Sequence, residues 1–386
     1  MREPADELDS IRAEKLFRQT RTVTNNGAEL QLAGQTYVQF ASNDYLGLAQ
    51  SEELKQAFHS AIDLHGVGAG ASRLISGTNP AHEGLELELA DFKRTERALA
   101  FSSGYAAAVG TLTSILGKDD FVILDKLCHA CLIDGARLSG ATIRVFPHND
   151  LNRLEKHLTW ARGKASPQSR ILIATESVFS MDGDFAPLVQ IAQLKQQFGA
   201  LLLLDEAHAV GVIGPEGRGL ADHLGVNESV DFAMGTLSKA IGVAGGYIAA
   251  KEDWVDLLIN RARSFIYSTA PPPAVAGAAT QSIRLIRSDE GDRRREALQN
   301  NIEALNQLLP DTPASQSAVR PHILGDSDAA LSASNRLKER GFLVPAIRFP
   351  TVPRGTERLR ISLSSAHATE QIQGLATAIR DICSGI

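Results

Sequence analysis

Short uninterrupted apolar runs recur along the chain: Phe121-Val122-Ile123-Leu124, Ile171-Leu172-Ile173-Ala174 and Leu201-Leu202-Leu203-Leu204. The segments 98–101 and 230–234 are of the same kind. A half-exposed strand alternates apolar and polar residues, whereas a strand that is apolar throughout is buried on both faces. Between the runs lie stretches with helical spacing, over 53–64, 106–116 and 188–198. The pattern predicts an α/β fold with a central, mostly parallel sheet and helices on both of its faces.

The two ends read differently. Leu8, Ile11 and Leu16 predict a helix over about 6–19, and alternation through Leu30, Leu32, Tyr37, Val38 and Phe40 predicts an antiparallel ribbon. Pro271-Pro272-Pro273 breaks the pattern, and a helix-rich stretch follows. After it come a helix over 329–340, strands over 342–347 and 358–363, and a last helix over about 369–382. The chain thus divides into a helix and ribbon (1–40), a large α/β unit (41–279) and a smaller α+β unit (280–386).

Composition narrows the function. The 386 residues are 44% hydrophobic and 22% charged, with a formal charge of -6. These values fit a soluble globular protein and argue against a general nucleic-acid role. The first residues lack the apolar core of a secretory signal, and no apolar run is long enough for a membrane span. Cys128, Cys131 and Cys383 are too few for a disulfide framework, so buried free thiols and a reducing cytoplasm are expected.

In a parallel sheet the ligand sits at the carboxyl ends of the strands, so the residues after each run carry the candidate chemistry. Asp205 ends the run 201–204, and His208 follows it by three residues. A carboxylate in that low-dielectric place needs a cationic partner; a helix cap is the competing reading. Lys239 lies in Thr236-Leu237-Ser238-Lys239-Ala240-Ile241-Gly242, where small neighbours leave room for a flat ligand. A lysine in such a setting loses its proton readily and can form an imine.

Ser102-Ser103-Gly104-Tyr105 joins a strand to a helix and offers free N–H groups to an anion. His129 could stack on a heteroaromatic ring, although a lone histidine is often structural. Among the late arginines Arg348, Arg354, Arg358 and Arg360, the last alternates with apolar positions in a strand. It suits a carboxylate held bidentately or, equally, a salt-bridged strand charge. The string Asp205-Glu206-Ala207-His208 is not a helicase box, because no phosphate loop accompanies it. No G-x-S-x-G elbow is present, and Gly66-Val67-Gly68-Ala69-Gly70 follows a helix rather than a strand. Serine hydrolase and nicotinamide readings are therefore disfavoured.

Taken in order, the motifs Ser42–Leu48, Ser72–Glu86, His129–Gly135, Glu176–Asp184, Asp205–His208, Thr236–Gly245 and Pro350–Pro353 span nearly the whole chain. In them the chain resembles the α-oxoamine synthases, fold-type-I enzymes dependent on pyridoxal 5′-phosphate (PLP). The resemblance implies that Lys239 carries PLP and moves the substrate α-proton. Asp205 would pair with the ring nitrogen, His129 stack on the ring, and His208 with Ser180 hold its hydroxyl side. Ser103, Gly104, Tyr105 and Thr236 would contact the cofactor, and Ser268 or Thr269 would reach its phosphate from a second subunit of a homodimer. Arg360, Asn43, Arg348, Thr351 and an N-terminal arginine, Arg18 or Arg21, would contact substrate.

The nearest likeness is to the member that condenses L-alanine with a pimeloyl thioester, on CoA or an acyl-carrier protein, in biotin synthesis. The alternatives are a relative using glycine or serine with another acyl-CoA, and a non-catalytic partner subunit of the same fold.

Overall fold

The computed structural model describes residues 3–14, 16–310 and 312–383. Its centre is a seven-stranded sheet in the order Arg97–Phe101, Gly246–Ala250, Phe232–Thr236, Leu201–Asp205, Ile171–Glu176, Phe121–Asp125, Thr142–Phe146. Pairing is parallel except for Gly246–Ala250, which runs antiparallel to both of its neighbours. The apolar runs sort by parity. Val122, Leu124, Leu172, Ala174 and Leu203 join one buried cluster, and Phe121, Ile123, Ile171, Ile173, Leu202 and Leu204 join another. Successive side chains point to opposite faces, so these continuous runs are buried on both, as expected.

Around this sheet the predicted helices form at Glu52–His65, Gly104–Ile115 and Leu188–Phe198. Pro273 opens the helix Pro273–Ile286, where its missing N–H costs nothing. The ribbon Val23–Asn26, Glu29–Leu32, Gln35–Gln39 forms and gains a fourth strand, Phe342–Leu343, in parallel.

Two expectations need correcting, and one strand was not expected. The first helix covers Pro4–Ala13 only; it buries no residue, so tertiary packing does not extend it. The expected strand 342–347 is two: Phe342–Leu343 joins the ribbon, while Ala346–Ile347 pairs with Arg358–Ser362. Pro345, which lacks an N–H, stands between them. The partner strand Val319–Ile323 goes unread in the sequence because Arg320, Pro321 and His322 mask its pattern.

Candidate active site

Strand ends deliver the polar residues to one edge of the large sheet. Asp205 closes its strand in register with Glu176, and both are buried. Asp205 Oδ1 accepts the N–H of Ala207 at 2.9 Å, and Glu176 Oε1 accepts that of His129 at 2.6 Å. Burial raises the pKa of Asp205, opposed mainly by the Lys239 ammonium. Burial, then the Asp205 charge, pushes Glu176 up to about 8. Two carboxyls sharing a dry site resist ionising together.

Lys239 lies in a tight loop after the strand Phe232–Thr236. Leu237 N donates to Gly245 O at 3.0 Å, Val243 N to Leu237 O at 2.9 Å and Gly242 N to Lys239 O at 2.9 Å. Gly242 has φ +78°, and a Cβ there would stand 2.8 Å from the backbone nitrogen of Ala49, so no other residue fits without a shift. The partly buried Lys239 Nζ is 2.7 Å from His208 Nε2. Burial lowers the pKa of Lys239 against the pull of Asp205 and Glu176. Burial first, then the neighbouring Lys239, takes His208 well below the usual histidine range.

The contact continues as a line. His208 Nδ1 is 2.6 Å from the Tyr45 hydroxyl, which is 3.2 Å from Asn43 Oδ1. Arg360 Nη1 and Nη2 reach the same Asn43 oxygen at 3.4 and 3.3 Å. Arg360 Nε donates to Ser180 O at 2.6 Å and Nη1 to Ser362 Oγ at 2.8 Å. Five side chains from four segments of the sequence thus link Lys239 to the buried guanidinium of Arg360.

A second feature lies at the end of the strand Arg97–Phe101. Ser103 caps the helix Gly104–Ile115, accepting from Ala106 N at 3.0 Å. Among the described residues no protein acceptor takes the N–H of Gly104 or Tyr105. A Cβ on Gly246 would stand 2.5 Å from Gly104 N and Cα, and one on Gly104 would stand 3.6 Å from Thr236 Cβ. Thr236 Oγ1 is 2.7 Å from Ser238 Oγ. Free N–H groups and two hydroxyls therefore gather where glycine lets an anion approach the backbone. This donor set fits PLP: a phosphate cradle, a buried carboxylate for a cationic ring nitrogen, and an amine of lowered pKa for the aldehyde carbon.

The remaining expected residues are placed as follows. His129 caps the helix Ala130–Ser139; its Nδ1 accepts from Cys131 N at 3.3 Å, which puts the ring proton of a neutral imidazole on Nε2. Cys131 Sγ stands 3.0 Å from the same nitrogen, and Cys128 and Cys131 are free and buried. His129, Ser180 and Thr351 line one cavity of about 580 Å³. Tyr105 donates to Asp134 Oδ2 at 2.8 Å. Arg348 lines a different cavity, with Asp326, Asp328 and Glu357.

Ser268 and Thr269 lie at a junction with the segment 71–72: Thr269 bridges Ser72, and Ala270 N donates to Ala71 O at 2.9 Å. Arg18 and Arg21 are exposed before the strand Val23–Asn26, and among the described residues no hydrogen bond ties either to the Lys239 line. Sequence reasoning missed Tyr45, Glu176 and Ser238 as site members. All three stood inside motifs already singled out, which was the available signal.

Comparison with known proteins accords with this geometry. The family model for aminotransferase class I and II matches residues 35–379. The chain is 45% identical over 383 residues to 8-amino-7-oxononanoate synthase of Geobacter sulfurreducens, covering 98% of this chain and 97% of that protein. It is 44% identical over 388 residues to the enzyme of the same name from Methylococcus capsulatus, covering 98% of each. Serine palmitoyltransferase of S. paucimobilis, solved with a PLP–myriocin adduct, superposes with a TM-score of 0.93 at 30% identity over 100% of this chain and 99% of that one. The 8-amino-7-oxononanoate synthase of Francisella tularensis gives a TM-score of 0.77 at 29% identity, over 90% and 98%. The chain belongs to the aminotransferase class I and II family and, within it, to the PLP-dependent α-oxoamine synthases.

Proposed function

We propose that the chain condenses L-alanine with a pimeloyl thioester of CoA or acyl-carrier protein to give 8-amino-7-oxononanoate, CO2 and the free thiol, a step of biotin synthesis. The observation that carries this reading is the hydrogen-bonded line from Lys239 to Arg360. It sets an amine base and a carboxylate-binding cation on one rigid network, as an α-amino acid requires. Relatives at 41–45% identity are named for the synthesis of 8-amino-7-oxononanoate, which supports this reading of the product.

PLP, when bound, stores the electron pair released at the substrate α-carbon. Asp205, buried, would hold the ring nitrogen protonated. His129 would cover the ring, and Ser103, Gly104, Tyr105, Thr236 and Ser238 would hold the phosphate side. Arg360 takes the carboxylate of alanine, with Asn43 fixing the guanidinium plane. Lys239, whose pKa burial lowers, removes the α-proton. The α-carbon then bonds to the thioester carbonyl carbon as the thiolate leaves. The carboxyl carbon departs as CO2, its bonding pair stays with the α-carbon, and Lys239 returns a proton there. Ser180 and Thr351 line one cavity; Ser180 with His208 would hold the hydroxyl side of the ring, and Thr351 would line the substrate site.

The active unit in this reading is a cytoplasmic homodimer. Ile75 is 82% exposed and Tyr267 73% exposed, and both lie close in sequence to the Ser72–Thr269 junction. An apolar surface there suits a second copy, to which Ser268 and Thr269 would extend. The segment 41–279 would hold the cofactor, and 280–386 would bring Arg360 to it. The experiment is a turnover screen of L-alanine, glycine and L-serine against pimeloyl, acetyl, succinyl and palmitoyl thioesters. Preference for any pair other than L-alanine with pimeloyl would refute the assignment.

A further inference from the structure

The cavity beside His129 is larger than alanine needs, and much of its wall is apolar: Leu127, Ile133, Phe179, Met181 and Val352. Two cations also line it, Lys126 and Arg358. Arg358 is committed. It donates to Asp182 Oδ1 at 2.6 Å, to Met181 O at 3.1 Å and to Thr356 O at 2.8 Å. Lys126 is not: among the described residues its ammonium makes no hydrogen bond or ion pair. The nearest carboxylate in sequence, Asp125, is itself occupied. It faces His148 Nδ1 at 3.1 Å and accepts the N–H groups of Leu127 and Asn149 at 2.8 and 2.9 Å.

An apolar wall with one unpaired cation suits a ligand that is hydrocarbon along its length and anionic at one point. We infer that Lys126 receives an anionic oxygen group of the acyl donor and so sets donor selectivity. Resting on the condensation proposed above, this names two sources of that anion. One is the free carboxylate of a dicarboxylic acyl chain, and the other is a phosphate of the carrier arm. Lys126 stands three residues before His129, on the segment that leads from the strand end Asp125 to the helix cap. An anion held there would lie along the same wall as the group covering the reaction centre.

The test compares kcat/KM for pimeloyl-CoA and heptanoyl-CoA, at saturating L-alanine, in holoenzyme with Lys126, Lys126→Gln, Lys126→Glu and Lys126→Arg. The two donors share a carrier and a chain length and differ in the far carboxylate. If Lys126 reads that carboxylate, the pimeloyl-to-heptanoyl ratio falls about three- to tenfold in Lys126→Gln, further in Lys126→Glu, and recovers in Lys126→Arg. If it reads the carrier phosphate, both donors weaken together, and a pimeloyl thioester of N-acetylcysteamine, which has no phosphate, is spared. KM values for both CoA donors that stay at the wild-type level in Lys126→Gln and Lys126→Glu overturn the inference. A wild-type protein that does not use pimeloyl-CoA sinks the functional reading instead, and the phosphate arm is then read with the acyl-CoA it does use.

Discussion

Lys239 Nζ and His208 Nε2 stand 2.7 Å apart at a buried edge of the large sheet. Two basic groups this close cannot both hold a charge cheaply, and burial already disfavours protonation of each. Burial thus lowers the pKa of the Lys239 amine, opposed by Asp205 and Glu176, so it gives up its proton more readily than a solvated lysine. Lys239→Ala removes both the attachment point and the base. Turnover should fall by at least about 10²–10⁴-fold, the usual share of a positioned base, and the visible absorbance of a lysine-linked cofactor should vanish. Retained turnover would exclude Lys239 from the chemistry.

Tyr45 is fully buried and supplies the only side-chain partner of His208 Nδ1 among the described residues. Tyr45→Phe keeps the ring and deletes the hydroxyl, leaving a buried ring nitrogen unpaired at a cost of about 1–3 kcal/mol. A lowered melting temperature and a raised KM for L-alanine should appear together, since the line to Asn43 and Arg360 is cut as well. A melting temperature equal to wild type would show that the hydroxyl carries no such load.

Asp205→Asn keeps the size and the acceptor for Ala207 N–H but not the charge. Cofactor should still bind, measured by absorbance, while kcat drops by an amount worth about 3 kcal/mol, or roughly 10²-fold. An unchanged kcat would mean that the buried carboxylate is structural.

Behind Asp205 lies an ion pair with no solvent contact: Lys93 Nζ is 2.5 Å from Glu206, with side-chain exposures of 1% and 0%. Lys93 also donates to the carbonyl of Arg218, and Glu206 accepts from Ala221 N at 3.0 Å. Lys93→Met strands the carboxylate, and breaking such a pair costs about 3–5 kcal/mol. The variant should melt markedly lower than wild type, and Lys93→Met with Glu206→Gln should recover part of the loss. A double variant no more stable than the single one would argue against a stranded charge as the cause.

Five strands of the central sheet were legible because they are apolar throughout; the half-exposed edge strand Thr142–Phe146, which carries Arg144, and the strand Gly246–Ala250 were not read. One of the small strands was not legible either. Val319–Ile323 carries an arginine that hydrogen-bonds inward to Asn306, Leu309 and Thr312, so a buried residue looks polar in sequence. Lys239, Asp205 and His208 were legible from their positions after strand ends. Tyr45 was not, since a tyrosine in a loop has no periodicity to betray that it meets a histidine 163 positions away. Arg73 shows the reverse error available to a motif reader. Its guanidinium pairs with Glu86 through two bonds of 2.9 Å and touches no member of the Lys239 line, so part of the Ser72–Glu86 motif is architecture.

Glu176 offers a test in pH. Its carboxyl is held at about 8 in the fold, chiefly by burial and then by Asp205, against an ordinary value of 4.5. Between those values the folded protein binds a proton that the unfolded chain has released, so stability is full below 4.5 and falls as pH rises through about 8. Glu176→Gln mimics the protonated form and keeps an oxygen for the His129 N–H now accepted at 2.6 Å. Its melting temperature should therefore decline less than that of wild type over this interval, with the two curves converging at the acid end. Parallel curves would place the proton elsewhere in the site, on Asp205. Lys239 acts with the opposite sign. Its lowered pKa makes the folded state gain stability as pH rises toward 10.5, so the wild-type decline near 8 is attributable to the carboxyl and not to the amine.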